Sequence, residues 1–219
     1  MEKRSCIQFV ELSNRRRLTK KKYHYDEFFR ETRYDLNETL APFLRKNAID
    51  EVVAMLIKYC IVLRIETPRK EVLGSFLSWS NTIRINNNLD KDMFLSVFLH
   101  EVAHLISDPI FIKAPWHGAE FYYCYQELVL QFNLKNIISQ DMILSIVNRS
   151  GDYESYRKYH GFKFQLKTIH IGFQFIYFDE VMVRGKGRNG LIECTKLSNN
   201  EKIKLDPQTK IVPVLDLNW

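Results

Sequence analysis

The spacing of apolar residues changes along the chain and divides it into segments. From Tyr25 to about Leu63 apolar residues recur at helical intervals, which predicts two or three helices. Residues 61–66, 71–79 and 81–88 then form short β-branched and aromatic runs, typical of three strands. The last two strands are expected to join near Ser80–Asn81. The pattern predicts helices followed by a small antiparallel sheet.

Helical spacing returns after these strands. Asp90 suits the N-cap of a helix that runs to about Ile106, and Asp108–Pro109 is expected to end it. Further helices are predicted at about 117–133 and 137–148, from the same periodicity.

The last quarter of the chain has a different character. Residues 162–215 contain short apolar runs separated by Gly, Asn and Pro, which predicts strands and turns. The expected fold class is therefore α+β, with a helical domain and small sheet at 23–150 and an all-β module at 160–219. Residues 1–22 are expected to be a basic, flexible extension.

Composition narrows the class of protein. With 219 residues, 46% of them hydrophobic and 26% charged, the chain suits a globular fold with a real core. Its apolar runs are shorter than a membrane span, and its N-terminus lacks the apolar stretch of a signal peptide. These features predict a cytoplasmic protein without a membrane partner. Its four cysteines are widely spaced and form no CxxC pair, which argues against a disulfide framework and a zinc ribbon.

Positive charge is concentrated in two places. The net charge is +6, and residues 14–22 read NRRRLTKKK. This run is interpreted as a solvated arm, with a nucleic-acid-binding arm as the alternative. Arg184, Lys186 and Arg188 lie in the glycine-rich stretch VRGKGRNGL, which suits either contact with nucleic-acid phosphates or a solvated hairpin tip. Weak, electrostatic DNA binding is the resulting prediction.

The stretch FLHEVAHLI carries the candidate chemistry. His100 and His104 are four positions apart, so both imidazoles leave the same face of a helix and can bind one metal ion. Glu101 is close enough to reach a water on that metal. The helix is apolar almost all round, and burying unpaired imidazoles would be costly. A metal removes that cost, and zinc suits imidazole ligands.

The third ligand stays open on these residues alone. Metzincin spacing would place a histidine at position 110 and a glycine at 107, where this chain has Ile110 and Ser107. A carboxylate on the next helix, Glu120 or Glu127, is one alternative. His117, at the start of that helix, is another.

Two motifs together resemble a known family. HEVAH, followed thirteen residues after His104 by HGAEF, resembles the SprT-like zinc metallopeptidases, to which Spartan belongs. PRKEVLGSF, NTIRINNNL and MFLSVFLHE are similar to the short bacterial members, so the resemblance covers about residues 60–130. It implies a compact zincin-like core, zinc bound by His100, His104 and His117, and Glu101 as general base.

The resemblance also implies a function. It indicates a zinc endopeptidase acting on protein or peptide substrates, in some relatives on proteins bound to DNA. Many relatives carry a cysteine zinc ribbon that this chain lacks, and its β-rich tail is similar to that of the short bacterial members. The alternative is a non-enzymatic, nucleic-acid-associated protein in which zinc only braces the fold.

Two further positions have two interpretations each. Glu120 either hydrogen-bonds a ligand histidine or has a surface or capping role in the first turn of its own helix. The segment TIRINNN is either an edge strand that holds an extended peptide or an ordinary strand of the sheet.

Overall fold

Helices occupy the middle of the chain, and strands precede and follow them. The computed structural model describes residues 10–12, 36–67, 72–113, 115–149, 151 and 153–217. The predicted α+β class is confirmed. Two compact units divide the chain, one containing residues up to 102 together with 132–149, the other containing 103–131 and 150–218.

The first unit contains a four-stranded sheet. Its strands are β1 (Val10–Leu12), β2 (Val62–Glu66), β3 (Gly74–Leu77) and β4 (Thr82–Asn86). Their order is β1-β2-β4-β3, with β1, β2 and β4 parallel and β3 antiparallel to β4. The sheet is therefore mixed rather than wholly antiparallel as predicted. Only the β3–β4 pair is joined by a short turn, which requires antiparallel pairing.

The strand β4 lies inside the sheet, not at its edge. It pairs with β2 on one side and β3 on the other, and its Ile83 and Ile85 are buried. The interpretation of TIRINNN as an edge strand is therefore wrong, since β1 and β3 are the two edge strands of this sheet. The β3–β4 connection is a 3-10 turn over Ser78–Ser80 followed by Asn81 in the left-handed region, where the sequence predicted a turn.

The region before β2 is partly described. Residues 36–40 are helical and α1 (Lys46–Lys58) buries one apolar face against the core, in agreement with the predicted helices. Val10–Leu12 were expected to belong to the flexible extension, but they pair with β2 as β1. The other residues of 1–22, including the basic run 14–22, lie outside the described residues.

The long helix α2 (Lys91–Ile110) begins where the sequence predicted. The Asp90 carboxylate accepts hydrogen bonds from the N–H groups of Asp92 at 3.1 Å and Met93 at 2.8 Å, as an N-cap should. The helix continues through Pro109, where it was expected to stop. Pro109 stands in the last turn, where only one backbone hydrogen bond is lost, and the Phe111 N–H still bonds the Ser107 carbonyl.

Three further helices follow α2: α3 (Ala119–Leu134), α4 (Gln140–Arg149) and α5 (Tyr153–Lys158). The boundary between the two units crosses α2 and α3 within their length. The sequence did not predict α5, because six residues are too few to show a helical period. Stacking of Tyr122 on Tyr159 and an edge contact of Tyr125 with Tyr156 join α3 to the α5 region.

The second unit contains a six-stranded antiparallel sheet of order β5-β10-β6-β7-β8-β9. This confirms the predicted β-rich tail. Alternate side chains, among them Phe175, Met182 and Ile211, are buried on one face. The strands are β5 (Phe164–Gln165), β6 (Gln174–Tyr177), β7 (Glu180–Arg188), β8 (Leu191–Lys196), β9 (Lys202–Leu205) and β10 (Lys210–Pro213).

Within the described part of the chain, no helix is both long and apolar enough to span a bilayer. Cys60, Cys124 and Cys194 are free thiols.

Candidate metal centre

The helix α2 places two histidines on one side. His100 and His104 are one helical turn apart, so the helix itself fixes their separation. His104 is only 8% exposed, and His100 is half-buried. The surrounding helix is buried over most of its surface, as its apolar composition predicts.

A tight turn places the third histidine. The N–H of Gly118 donates to the Pro115 carbonyl at 3.1 Å, which closes a turn containing Trp116 and His117. His117 has φ 55°, in the left-handed region that costs a non-glycine residue roughly 1–2 kcal/mol. Such strain persists where the surroundings enforce it, commonly at functional sites. The His117 side chain is exposed, and its ring centroid lies 5.0 Å from that of His104.

The three histidines form one cluster. One ring nitrogen from each of His100, His104 and His117 lies within 4.8 Å of the others, close enough for all three to bind a single metal ion. Among the described residues no other His, Cys, Asp or Glu belongs to this group. The structure thus brings together the two histidines of the helix and His117, rather than Glu120 or Glu127.

A buried aromatic side chain supports the cluster. Phe121 is 1% exposed and stacks on His104 with ring centroids 4.3 Å apart. It also makes an edge contact with His117 at 4.8 Å. Phe121 belongs to the HGAEF motif, but its role beside the histidines was not predicted from the sequence. Phe121 restricts the rotamers of both rings.

Glu101 lies beside the cluster in a buried position. Desolvation raises the pKa of its carboxyl from 4.5 to about 7, while the nearby His100 and a hydrogen bond from the backbone N–H of Phe76 act in the opposite direction. Phe76 belongs to β3. This edge strand thus contacts the carboxylate that the family resemblance implies as general base.

Gly74 allows β3 to approach this closely. A Cβ on Gly74 would lie 2.4 Å from Val97 Cγ1 and 3.1 Å from Glu101 Oε1. The overlap with Val97 forces that side chain, the strand or the helix to shift.

We therefore expect Gly74→Ala to destabilise the protein by about 1–3 kcal/mol, the usual cost of overpacking a core. Urea unfolding of the variant measures this free energy. Gly187→Ala is the matched control, because the nearest atom to a Cβ there is 3.8 Å away, and it should change stability little. Equal stability of both variants would show that β3 is free to move away from α2.

Two glutamates of α3 were the other candidates for the third ligand. Glu120 stands in the first turn, and its Oε2 lies 3.0 Å from where a Cβ on Gly118 would be. This position over the helix N-terminus suits the predicted capping role.

Glu127 is half-buried beside Tyr123 and Tyr156. Desolvation raises the pKa of its carboxyl above 4.5, while an attraction from His160 lowers it.

Glu127→Gln is expected to stabilise the protein at neutral pH. The folded state holds the Glu127 proton more tightly than the unfolded chain does. The carboxyl therefore contributes stability below pH 4.5 and loses it as the pH rises through the raised folded pKa. Glutamine has no charge to bury, so the variant should have a higher free energy of unfolding than the wild type near neutral pH and an equal one in acid. Denaturant unfolding near neutral pH and below pH 4.5 measures this difference. Identical unfolding curves for variant and wild type at neutral pH would contradict the prediction.

The structure separates the three basic residues of the β7 region. Arg184 is buried at 9% exposure, and its Nε donates to the Leu166 carbonyl at 3.2 Å. Burial also lowers its pKa. Arg184 thus anchors the sheet and does not face solvent as a nucleic-acid contact should. Lys186 and Arg188 are exposed. The alternation of β7 explains the difference, because Arg184 shares the inward face with Met182.

Comparisons with protein-family models, with curated proteins and with solved structures find no match to this chain. The resemblance of HEVAH and HGAEF to the SprT-like family stays a prediction from those motifs. In the structure, three histidines cluster closely enough to bind one metal ion, and the buried Glu101 lies beside them.

Proposed function

We propose that the protein is a zinc-dependent endopeptidase of the SprT-like type. The observation that carries this proposal is the position of Glu101, a buried carboxylate next in sequence to His100, beside a cluster of three histidines. Three imidazoles that leave a fourth position open are typical of catalytic zinc sites, whereas structural sites are usually closed by four protein ligands.

Zinc is the proposed metal because of the ligands. All three are imidazole ligands, which suit zinc better than calcium or magnesium, and the cluster includes no cysteine. A zinc ion held there would supply a Lewis acid that activates water and polarises a carbonyl oxygen.

The residues around the metal have separate tasks in this proposal. Glu101 accepts a proton from the attacking water and transfers it to the leaving amine, which balances the hydrolysis of the peptide bond. The Phe76 N–H orients the Glu101 carboxylate. Phe121 fixes the ring of His104 by stacking.

The competing function is a non-enzymatic, nucleic-acid-associated protein with a structural zinc. It explains neither the carboxylate beside the histidines nor a cluster of only three ligands among the described residues. DNA association through charge stays a prediction. It rests on residues 14–22, outside the described residues, and on the exposed Lys186 and Arg188.

Metal-dependent hydrolysis tests the proposal. The purified protein is incubated with an unstructured protein substrate as isolated, after chelation, and after addition of one equivalent of zinc. We expect cleavage to disappear on chelation and to return with zinc. Cleavage that persists in fully chelated protein, or no cleavage of the substrate by zinc-loaded protein, would contradict the proposed function.

A further inference from the structure

An exposed tryptophan stands beside the candidate metal centre. Trp116 is 76% exposed, precedes His117 directly and lies with its ring centroid 5.0 Å from that of His104. Single exposed apolar residues are common on protein surfaces and need no explanation by themselves. Trp116 differs because it contacts a residue of the histidine cluster.

The backbone holds Trp116 in a defined place. Pro115, with its fixed φ, precedes it, and the turn closed by Gly118 contains it. Further back in the same loop, the Ile112 N–H donates to the Thr168 carbonyl at 2.7 Å. A tryptophan has two rotatable side-chain bonds, so ordering it against a ligand costs little conformational entropy.

Trp116 and Phe121 both contact His104 but differ in exposure. Phe121 is buried and stacked on His104, so it belongs to the core. Trp116 is tilted at 42° to the His104 ring and leaves most of its indole in water. The buried stacking of Phe121 is sufficient to hold the His104 ring in place. The indole surface is therefore available for a ligand at the cluster.

We infer that Trp116 forms an apolar subsite, which selects peptides with an aromatic or large aliphatic side chain next to the bond that is cleaved. This rests on the proposed function. An extended peptide advances about 3.3 Å per residue, so a peptide whose carbonyl reaches the cluster places its neighbouring side chain within reach of the indole. Covering apolar surface on both partners then favours Phe or Leu over Ala at that position.

A pair of matched peptides tests selection. The peptides differ only by Phe or Ala beside the scissile bond, and kcat/KM is measured for both with zinc content determined in parallel. We expect Trp116→Ala to lower the Phe-to-Ala ratio of kcat/KM about tenfold, the lower end of what one apolar group contributes to discrimination. Trp116→Phe should keep most of the ratio, and Trp116→Gln should lose it.

Leu134→Ala is the control for loss of an exposed apolar side chain. Leu134 is 67% exposed and ends α3, about 22 Å along the helix from Ala119 at a rise of 1.5 Å per residue. The Phe-to-Ala ratio of kcat/KM for Leu134→Ala should equal that of the wild type. An unchanged ratio in Trp116→Ala or Trp116→Gln would overturn the subsite. If Trp116→Ala also loses zinc while Trp116→Gln keeps the wild-type ratio, Trp116 only supports His104 and the subsite is overturned.

Binding separates this inference from the proposed function. Zinc-loaded Glu101→Gln protein, with and without Trp116→Ala, is titrated with the same two peptides by calorimetry. Preferential binding of the Phe peptide that depends on Trp116 supports the subsite even if the wild type cleaves neither peptide. Equal Kd values for both peptides overturn the subsite even if the wild type cleaves both.

Discussion

Glu101→Gln is expected to abolish peptide hydrolysis while zinc content and fold are retained. The substitution preserves the shape of the side chain and its ability to accept the Phe76 N–H, but it removes the proton acceptor. Positioned proton transfer contributes about 10²–10⁴-fold in rate, so kcat should fall by that factor. Initial rates on a fluorogenic peptide, with zinc measured on the same sample, provide the test.

Glu154→Gln is the matched control for this experiment. Glu154 is an exposed carboxylate in the first turn of α5, and its replacement should leave kcat unchanged. Unchanged hydrolysis by Glu101→Gln would remove Glu101 from the mechanism. If Glu101→Gln loses zinc together with activity, Glu101 is instead required for metal binding.

His117→Ala should lower zinc affinity by more than the roughly 10–100-fold that loss of an outer-shell partner costs. The variant removes one of the three nitrogens that lie within 4.8 Å of one another and leaves His100 and His104 on the helix. Competition with a chromogenic chelator measures the affinity. Because His117 is exposed and lies in a turn, the substitution should leave the folded core intact.

Two carboxylate variants complete the comparison. Glu120→Ala and Glu127→Ala should bind as much zinc per chain as the wild type, because neither residue belongs to the histidine cluster. Full zinc binding by His117→Ala, together with loss of zinc from either carboxylate variant, would show that the third ligand is a carboxylate.

Local features were predictable from the sequence. Asp90 caps α2 as expected, since its carboxylate acts on N–H groups two and three residues away. The pairing of His100 and His104 is likewise fixed within one turn of one helix. The alternating runs of the tail correctly indicated strands, because a strand's period is visible in a few residues.

Long-range features were not predictable in the same way. The parallel pairing of β2 with β4 depends on contacts between segments that no short turn connects, so the period alone could not reveal it. The burial of Arg184 depends on the Leu166 carbonyl, eighteen positions away, which offers it a partner. Residue spacing left His117, Glu120 and Glu127 open as third ligand, and only the family resemblance favoured His117. The position of His117 in the cluster depends on the turn at Pro115–Gly118, where its backbone adopts a left-handed conformation that residue preferences do not predict.

A crystal structure of the zinc-loaded protein, with anomalous data collected at the zinc edge, tests the proposed metal centre itself. We predict a single zinc site per chain, with nitrogens of His100, His104 and His117 at about 2.0–2.1 Å and a water or hydroxide in the fourth position. Glu101 should lie near that water without binding the metal. A zinc ion with a fourth protein ligand, or one bound without His117, would contradict the proposed three-histidine catalytic site.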